Sequence, residues 1–150
     1  MGITGVSHIA IGVSDMDKSL SFYRDALGMT VTVDRREKSG GANPKDRRAC
    51  YLRWSQEAGS SYLVLDHHLD REPFGRPAEL FQVGVHHFSF LTDDIAAMVA
   101  RIRAAGYEVW SDPKLRDGTA NGMPSGEHEV LTVMTADPDG NIVQFDQWLK

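Results

Sequence analysis

Two histidines, His8 and His87, open two similar runs, His8-Ile9-Ala10-Ile11 and His87-Phe88-Ser89-Phe90. Each run leads through an acidic turn into a helical pattern closed by a glycine, Gly28 in the first case and Gly106 in the second. Imidazole is a common ligand for first-row divalent ions, so a pair at equivalent places in a repeat is a candidate metal-binding pair. Successive strand residues point to opposite faces. In 61–68, Leu63 and Leu65 alternate with Tyr62, Val64, Asp66 and His68; in 141–148, Val143 and Phe145 alternate with Ile142, Gln144, Asp146 and Trp148. With the apolar set packed inward, the opposite face gathers His8, His87, Gln144, Asp66 and Asp146. Two imidazoles and an oxygen donor suit a divalent ion with open coordination positions. His68, at the strand end, joins Asp66 and Asp146 as a candidate acid-base group.

The elements that must position these residues follow from periodicity. His8 to Val13 alternates large apolar residues (Ile9, Ile11, Val13) with a histidine and two small residues (His8, Ala10, Gly12). Ser14 and Asp17 have capping-box spacing, and Met16, Leu20, Tyr23 and Leu27 recur at helical intervals up to Gly28. Strands are expected at 30–33, 49–54 and 61–67, giving a β-α-β-β-β order. The order repeats with a strand at 85–91, Thr92 or Asp93 capping a helix through Ile95, Met98, Val99 and Ile102, and strands at 107–110, 129–135 and 141–148. Asp137-Pro138-Asp139-Gly140 supplies turn chemistry before the last strand. Residues 69–82 read as a linker, and 112–128 as a long glycine-rich loop. The same parity sets His86 on the opposite face from His87 and His67 toward the packing side, and leaves His128 in the loop.

Composition excludes several function classes. A net charge of −5 with pI near 5.6 argues against a nucleic-acid surface. The local basic cluster of Arg35, Arg36, Lys45, Arg47 and Arg48 flanks Gly40-Gly41 and is expected as a solvated loop with a charged rim. The single cysteine, Cys50, lies in a strand pattern and reads as a buried thiol in a reducing compartment. No apolar run approaches a membrane span and no leader pattern is present, which gives a cytoplasmic expectation.

The duplicated pattern, the phrase Phe22-Tyr23-Arg24-Asp25-Ala26-Leu27-Gly28-Met29 and the turn Asp137-Pro138-Asp139-Gly140-Asn141 together resemble the vicinal oxygen chelate superfamily over essentially the whole chain. The resemblance implies an α+β fold in which two βαβββ modules form a cupped mixed sheet with helices on the outer face. On this basis the chain is one domain, 1–150, made of repeats at about 4–68 and 83–150 joined by the linker 69–82. It further implies metal positions at His8, Val64, His87 and Gln144. Valine cannot ligate, so His8, His87 and Gln144 remain as the expected metal ligands, holding Fe(II) by preference, with Mn(II), Ni(II) or Zn(II) as alternatives.

His86-His87-Phe88 is similar to the fifth-strand phrase of extradiol dioxygenases, which favours a ring-cleaving enzyme acting on a small aromatic diol or similar vicinal-oxygen compound. Departures from that branch are Gln144 in place of a carboxylate and Met134 where a tyrosine is usual. Asp146 or Asp66 is then the expected replacement for the missing charge. Tyr51, Tyr62, Trp54, Trp110 and Trp148 are candidates to stack on an aromatic substrate. The alternatives are a metal-free drug- or metabolite-binding protein and a lyase or isomerase of the glyoxalase kind. A small-molecule partner and a homodimer are expected, without nucleic acid or membrane.

Overall fold

The computed structural model of the chain describes residues 2–149, and the chain divides into two compact units between Gly75 and Arg76. In the first unit, β1 (His8–Gly12), β4 (Tyr62–His68), β3 (Asp46–Arg53) and β2 (Thr30–Lys38) lie side by side in that order. β1 runs parallel to β4, and the other pairs are antiparallel. A parallel pair needs a crossover, and α1 (Met16–Leu20), continued by a wide π-type segment at Ser21–Ala26, follows β1. The second unit repeats the arrangement. Its sheet runs β5 (His87–Leu91), β8 (Ile142–Leu149), β7 (Glu129–Ala136), β6 (Lys114–Asp117), with β5 parallel to β8 and α2 (Ile95–Ala104) after β5. The α+β class and the duplicated βαβββ order are therefore observed.

Helical periodicity is expressed as burial: Met16, Leu20, Tyr23 and Leu27 are all buried, as are Ile95, Val99 and Ile102. The helix starts differ from the expected ones. Asp15, rather than Ser14, caps α1, accepting the N–H groups of Asp17 at 3.0 Å and Lys18 at 3.1 Å. Asp94, rather than Thr92 or Asp93, caps α2 through the N–H of Ala97 at 2.9 Å, while Thr92 Oγ1 accepts the N–H of Asp94. In both cases the carboxylate nearest the first turn reaches the free N–H groups and shifts the start by one or two residues. Gly28 adopts φ +81°, and its N–H closes the preceding helical segment on the carbonyl of Arg24.

Two strand expectations are corrected. Residues 107–110 do not form a full strand: Val109 makes an isolated bridge to Thr135, and the edge strand β6 lies further on, where Leu115 pairs with Leu131. Asp112-Pro113 separates the two places, and proline has no N–H to give a ladder. β6 also carries a single apolar residue, so alternation could not reveal it. The basic cluster, in turn, is not a loop rim. β2 runs on to Lys38 and β3 begins at Asp46, so four of the five cations stand on a long hairpin and only Lys45 stays in the connection. Ion pairs hold that hairpin, with Lys38 on Asp46 at 2.7 Å, Arg48 on Asp34 at 2.8 Å and Arg47 on Glu37 at 2.7 Å.

Each sheet has a packing face and an open face. In the first unit Leu63, Leu65, Cys50 and Leu52 are buried on one side. Arg48 shares that side by register and bonds Asp17 of α1 at 2.8 Å, which places the helix there. In the second unit Val143 and Phe145 are buried on the side where Gln147 Oε1 accepts the N–H of Ile95, the first residue of α2. The faces turned away from the helices carry the candidate chemistry. Among the described residues no helix is long and apolar enough to cross a membrane.

Candidate functional site

In the first unit, parallel pairing sets His8 level with Tyr62, Ala10 with Val64 and Gly12 with Asp66. His8 is exposed, its ring stacks on Tyr62 at 5.2 Å, and its Nδ1 lies 3.5 Å from Ser7 Oγ. Val64, one pleat along, is buried and offers no donor. Asp66 is level with the residue four beyond His8, about 13 Å along the strand. Its carboxylate accepts Arg47 Nη1 at 2.7 Å, while Nη2 of the same guanidinium bonds Glu37 at 2.7 Å. His68 is two residues further still; its Nδ1 accepts the N–H of Asp70 at 3.1 Å and its ring meets the edge of Phe74. The strand thus puts Asp66 and His68 on the His8 face but progressively away from His8. Asp66 serves there as an ion-pair anchor for the hairpin.

In the second unit, register sets His87 level with Ile142, Ser89 with Gln144 and Leu91 with Asp146. Met134 lies opposite Gln144 and Thr132 opposite Asp146 on β7. Asp146 is 3 % exposed, and its carboxylate accepts the hydroxyl of Ser89 and both contacts from Gln144 Nε2, at 2.9 and 3.0 Å. Because the amide nitrogen of Gln144 is committed to Asp146, the atom it presents away from that bond is Oε1. The sequence reading did not pick out Ser89, although its place two residues after His87 on the same strand puts it on this face.

His87 is half-buried, and its Nδ1 lies 2.8 Å from His86 Nδ1, with the two ring centres 4.6 Å apart. The expected opposition of these rings is corrected: His86 precedes β5, so strand alternation does not govern it. One of the two Nδ1 atoms donates and the other accepts, which leaves Nε2 of His87 outside the bond. Burial, followed by the neighbouring His86, holds the His87 imidazolium below its ordinary pKa, with Asp146 opposing. A neutral imidazole keeps a lone pair for a ligand. His128 meets Trp148 edge-on at 6.3 Å, at the end of β8.

Among the described residues, no three His, Cys, Asp or Glu side chains form a metal-binding group. The second unit offers donors of another kind, the imidazole of His87 and the amide oxygen of Gln144, and the first unit separately exposes the imidazole of His8. On the second unit the Asp146 carboxylate orients the Gln144 amide. The donor chemistry fits a divalent ion that accepts nitrogen and neutral oxygen ligands.

Comparison with known proteins adds a family context. The profile of the Glyoxalase/Bleomycin resistance protein/Dioxygenase superfamily matches residues 5–145. A Synechocystis sp. protein named as a probable lactoylglutathione lyase is 26% identical over 143 residues, covering 93% of this chain and 92% of that protein. The lactoylglutathione lyase of Arabidopsis thaliana is 24% identical over 93% of this chain, which spans only 43% of the plant protein. Among solved structures, a glyoxalase family protein from Bacillus cereus superposes with a TM-score of 0.76 at 15% identity, covering 100% of this chain and 97% of the other, a likeness of fold.

Proposed function

We propose that this chain, which belongs to the Glyoxalase/Bleomycin resistance protein/Dioxygenase superfamily, is a divalent-metal-dependent lyase or isomerase of the glyoxalase type acting on a small substrate with two vicinal oxygens. His8, His87 and Gln144 are assigned as the residues that hold the ion, with Zn(II) or Ni(II) now set beside Fe(II). The observation that carries this reading is the paired restraint on the second unit, where His86 holds one nitrogen of His87 and Asp146 holds the amide nitrogen of Gln144. In the tautomer in which His87 donates through Nδ1, each restraint leaves a single ligating atom presented, which is how partners behind a metal ligand fix its orientation. The two relatives given above carry the names probable lactoylglutathione lyase and lactoylglutathione lyase, and neither name is that of an oxygenase. The glyoxalase-type alternative therefore replaces the ring-cleaving dioxygenase as the leading reading.

When bound, a divalent ion polarises a substrate oxygen and lowers the pKa of the adjacent carbon or hydroxyl proton. The chain's own contribution is to hold its donors, orient Gln144 through Asp146 and keep His87 neutral. Asp146 is the one carboxylate on the open face of the second unit's strands among the described residues, and we assign it the proton to be moved, with Ser89 as its hydrogen-bond partner. Asp66 and His68 are assigned to the outer part of the binding face rather than to proton transfer. A metal-free binding protein is the second reading, favoured by the lone fact that Val64 stands where the family resemblance expects a ligand.

The test follows a panel of hemithioacetals and α-hydroxy ketones in D2O by NMR, with an oxygen electrode in parallel. The expected result is deuterium incorporation next to the carbonyl that requires added Zn(II) or Ni(II), without oxygen uptake. Oxygen uptake with catechols, or no exchange in metal-loaded protein, overturns the reading.

A further inference from the structure

The open face of the first unit carries three arginines, Arg35, Arg47 and Arg53, around a row of aromatic rings. His8 stacks on Tyr62 at 5.2 Å with 17° between planes, and Tyr62 stacks on Tyr51 at 5.8 Å with 26° between planes. The guanidinium carbon of Arg53 lies 4.8 Å from the centre of the Tyr62 ring, and that of Arg35 lies 6.0 Å from the Tyr51 ring. Rings stacked across neighbouring strands present their edges outward, and the edges here carry phenol hydroxyls and imidazole nitrogens. The row is therefore rich in donors.

Charge on this face is not balanced. Glu37 is shared by Arg35 at 2.6 Å and Arg47 at 2.7 Å, and Arg47 also takes Asp66 at 2.7 Å. Arg53 forms no ion pair with a described carboxylate. Its Nη1 donates to the carbonyl of Ser60 at 3.0 Å and to the hydroxyl of Ser60 at 3.1 Å. Those bonds and the Tyr62 ring fix the guanidinium plane, while its Nε and Nη2 groups have no partner among the described residues. That edge is the one that takes a carboxylate in fork geometry. A fixed guanidinium with one free edge on a half-buried face is prepared for an anion, because its ordering is already complete before the ligand arrives.

We propose that Arg53 is a specificity residue that receives a carboxylate of the substrate, so that the substrate is an anionic vicinal-oxygen compound rather than a neutral one. This inference deepens the proposed activity and rests on it for the place of His8 beside Tyr62 as a substrate-side ligand. The stacked Tyr62 ring sets the spacing between the two: the carboxylate is received at Arg53 while the vicinal oxygens lie toward His8.

The test is calorimetric titration of the full chain with 3,4-dihydroxybenzoate and with its methyl ester, which keeps both vicinal oxygens and removes the charge. Both titrations are run with and without Zn(II). The wild-type protein is expected to bind the carboxylate about 10- to 100-fold more tightly than the ester, the range for a charge-assisted bidentate contact. Arg53→Met is expected to abolish the preference and leave ester affinity within about 2-fold, and Arg53→Lys to keep only part of it because the fork is lost. Equal binding of acid and ester by the wild type, no binding of the acid, or a preference that survives in Arg53→Met overturns the inference. A carboxylate preference in protein that takes up no Zn(II) supports Arg53 and removes the metal-dependent activity. Zn(II) that tightens both compounds equally, with no preference between them, does the reverse.

Discussion

Replacing Gln144 by glutamate turns the restraint on the second unit into a measurable repulsion. In the native chain Gln144 Nε2 sits 2.9 and 3.0 Å from the two oxygens of Asp146, a carboxylate that is 3 % exposed. Gln144→Glu puts a carboxylate oxygen where a donor stood. Two unit charges 3 Å apart at an effective dielectric of 20 repel by about 5.5 kcal/mol, so the pair cannot stay doubly ionised without moving or taking up a proton. Rotation of the new side chain relieves part of this, and about 2 kcal/mol of destabilisation is expected at pH 8 in chelator, a fall in Tm of about 4–8 °C for a chain of this size. The folded pair holds its proton to higher pH than the unfolded chain does. The loss should therefore grow as pH rises from about 4.5 to 8 and be small near pH 4.5. Added Zn(II) should stabilise Gln144→Glu more than the wild type, because the cation removes the repulsion. Thermal unfolding followed by circular dichroism across this pH range checks it. A variant with wild-type Tm at pH 8, or with a penalty independent of pH, would refute the pairing of Gln144 with Asp146.

Two further outcomes follow from the first unit. Cys50 is fully buried, and burial, with Asp34 beside it, pushes its thiol up to about 12; it should resist a disulfide reagent at pH 8 in the native chain and react fully in denaturant, so rapid native labelling would contradict its placement. Asp34 is held down to about 2 by the Arg48 guanidinium. Its contribution to stability is present above the ordinary carboxylate value and is lost as pH falls toward 2. Asp34→Asn should accordingly be less stable than the wild type at pH 7, with the difference shrinking as pH falls toward 2, measured by urea unfolding.

The face that each candidate residue takes on its own strand was legible in the sequence because strand parity has a period of two and survives errors at strand ends. That Tyr62 and Asp66 share one face of their strand, and Gln144 and Asp146 one face of theirs, follows from where Leu63, Leu65, Val143 and Phe145 pack; the level of His8 with Tyr62 and of Ser89 with Gln144 is set by strand register, which parity does not give. Helix burial was legible for the same reason, as Met16, Leu20, Tyr23 and Leu27 repeat at helical spacing. Features held by polar contacts were not. The hairpin of β2 and β3 is stabilised by cross-strand ion pairs of Lys38 with Asp46, Arg47 with Glu37 and Arg48 with Asp34, which leave no apolar alternation to find. His86 stands just before its strand, where parity has no force, and only the folded chain shows its ring against His87. The free edge of Arg53 likewise depends on Ser60, seven residues away across the β3–β4 turn.

The proposed function requires His8, His87 and Gln144 to hold one divalent ion. Equilibrium dialysis of the full chain against Zn(II) or Ni(II), with metal analysis, tests it most directly. About one equivalent bound per chain is expected, with affinity reduced at least about 10-fold by His8→Ala and again by His87→Ala, no less than when a supporting contact of a metal site is removed. Less than about a tenth of an equivalent bound, or binding indifferent to both substitutions, would contradict it.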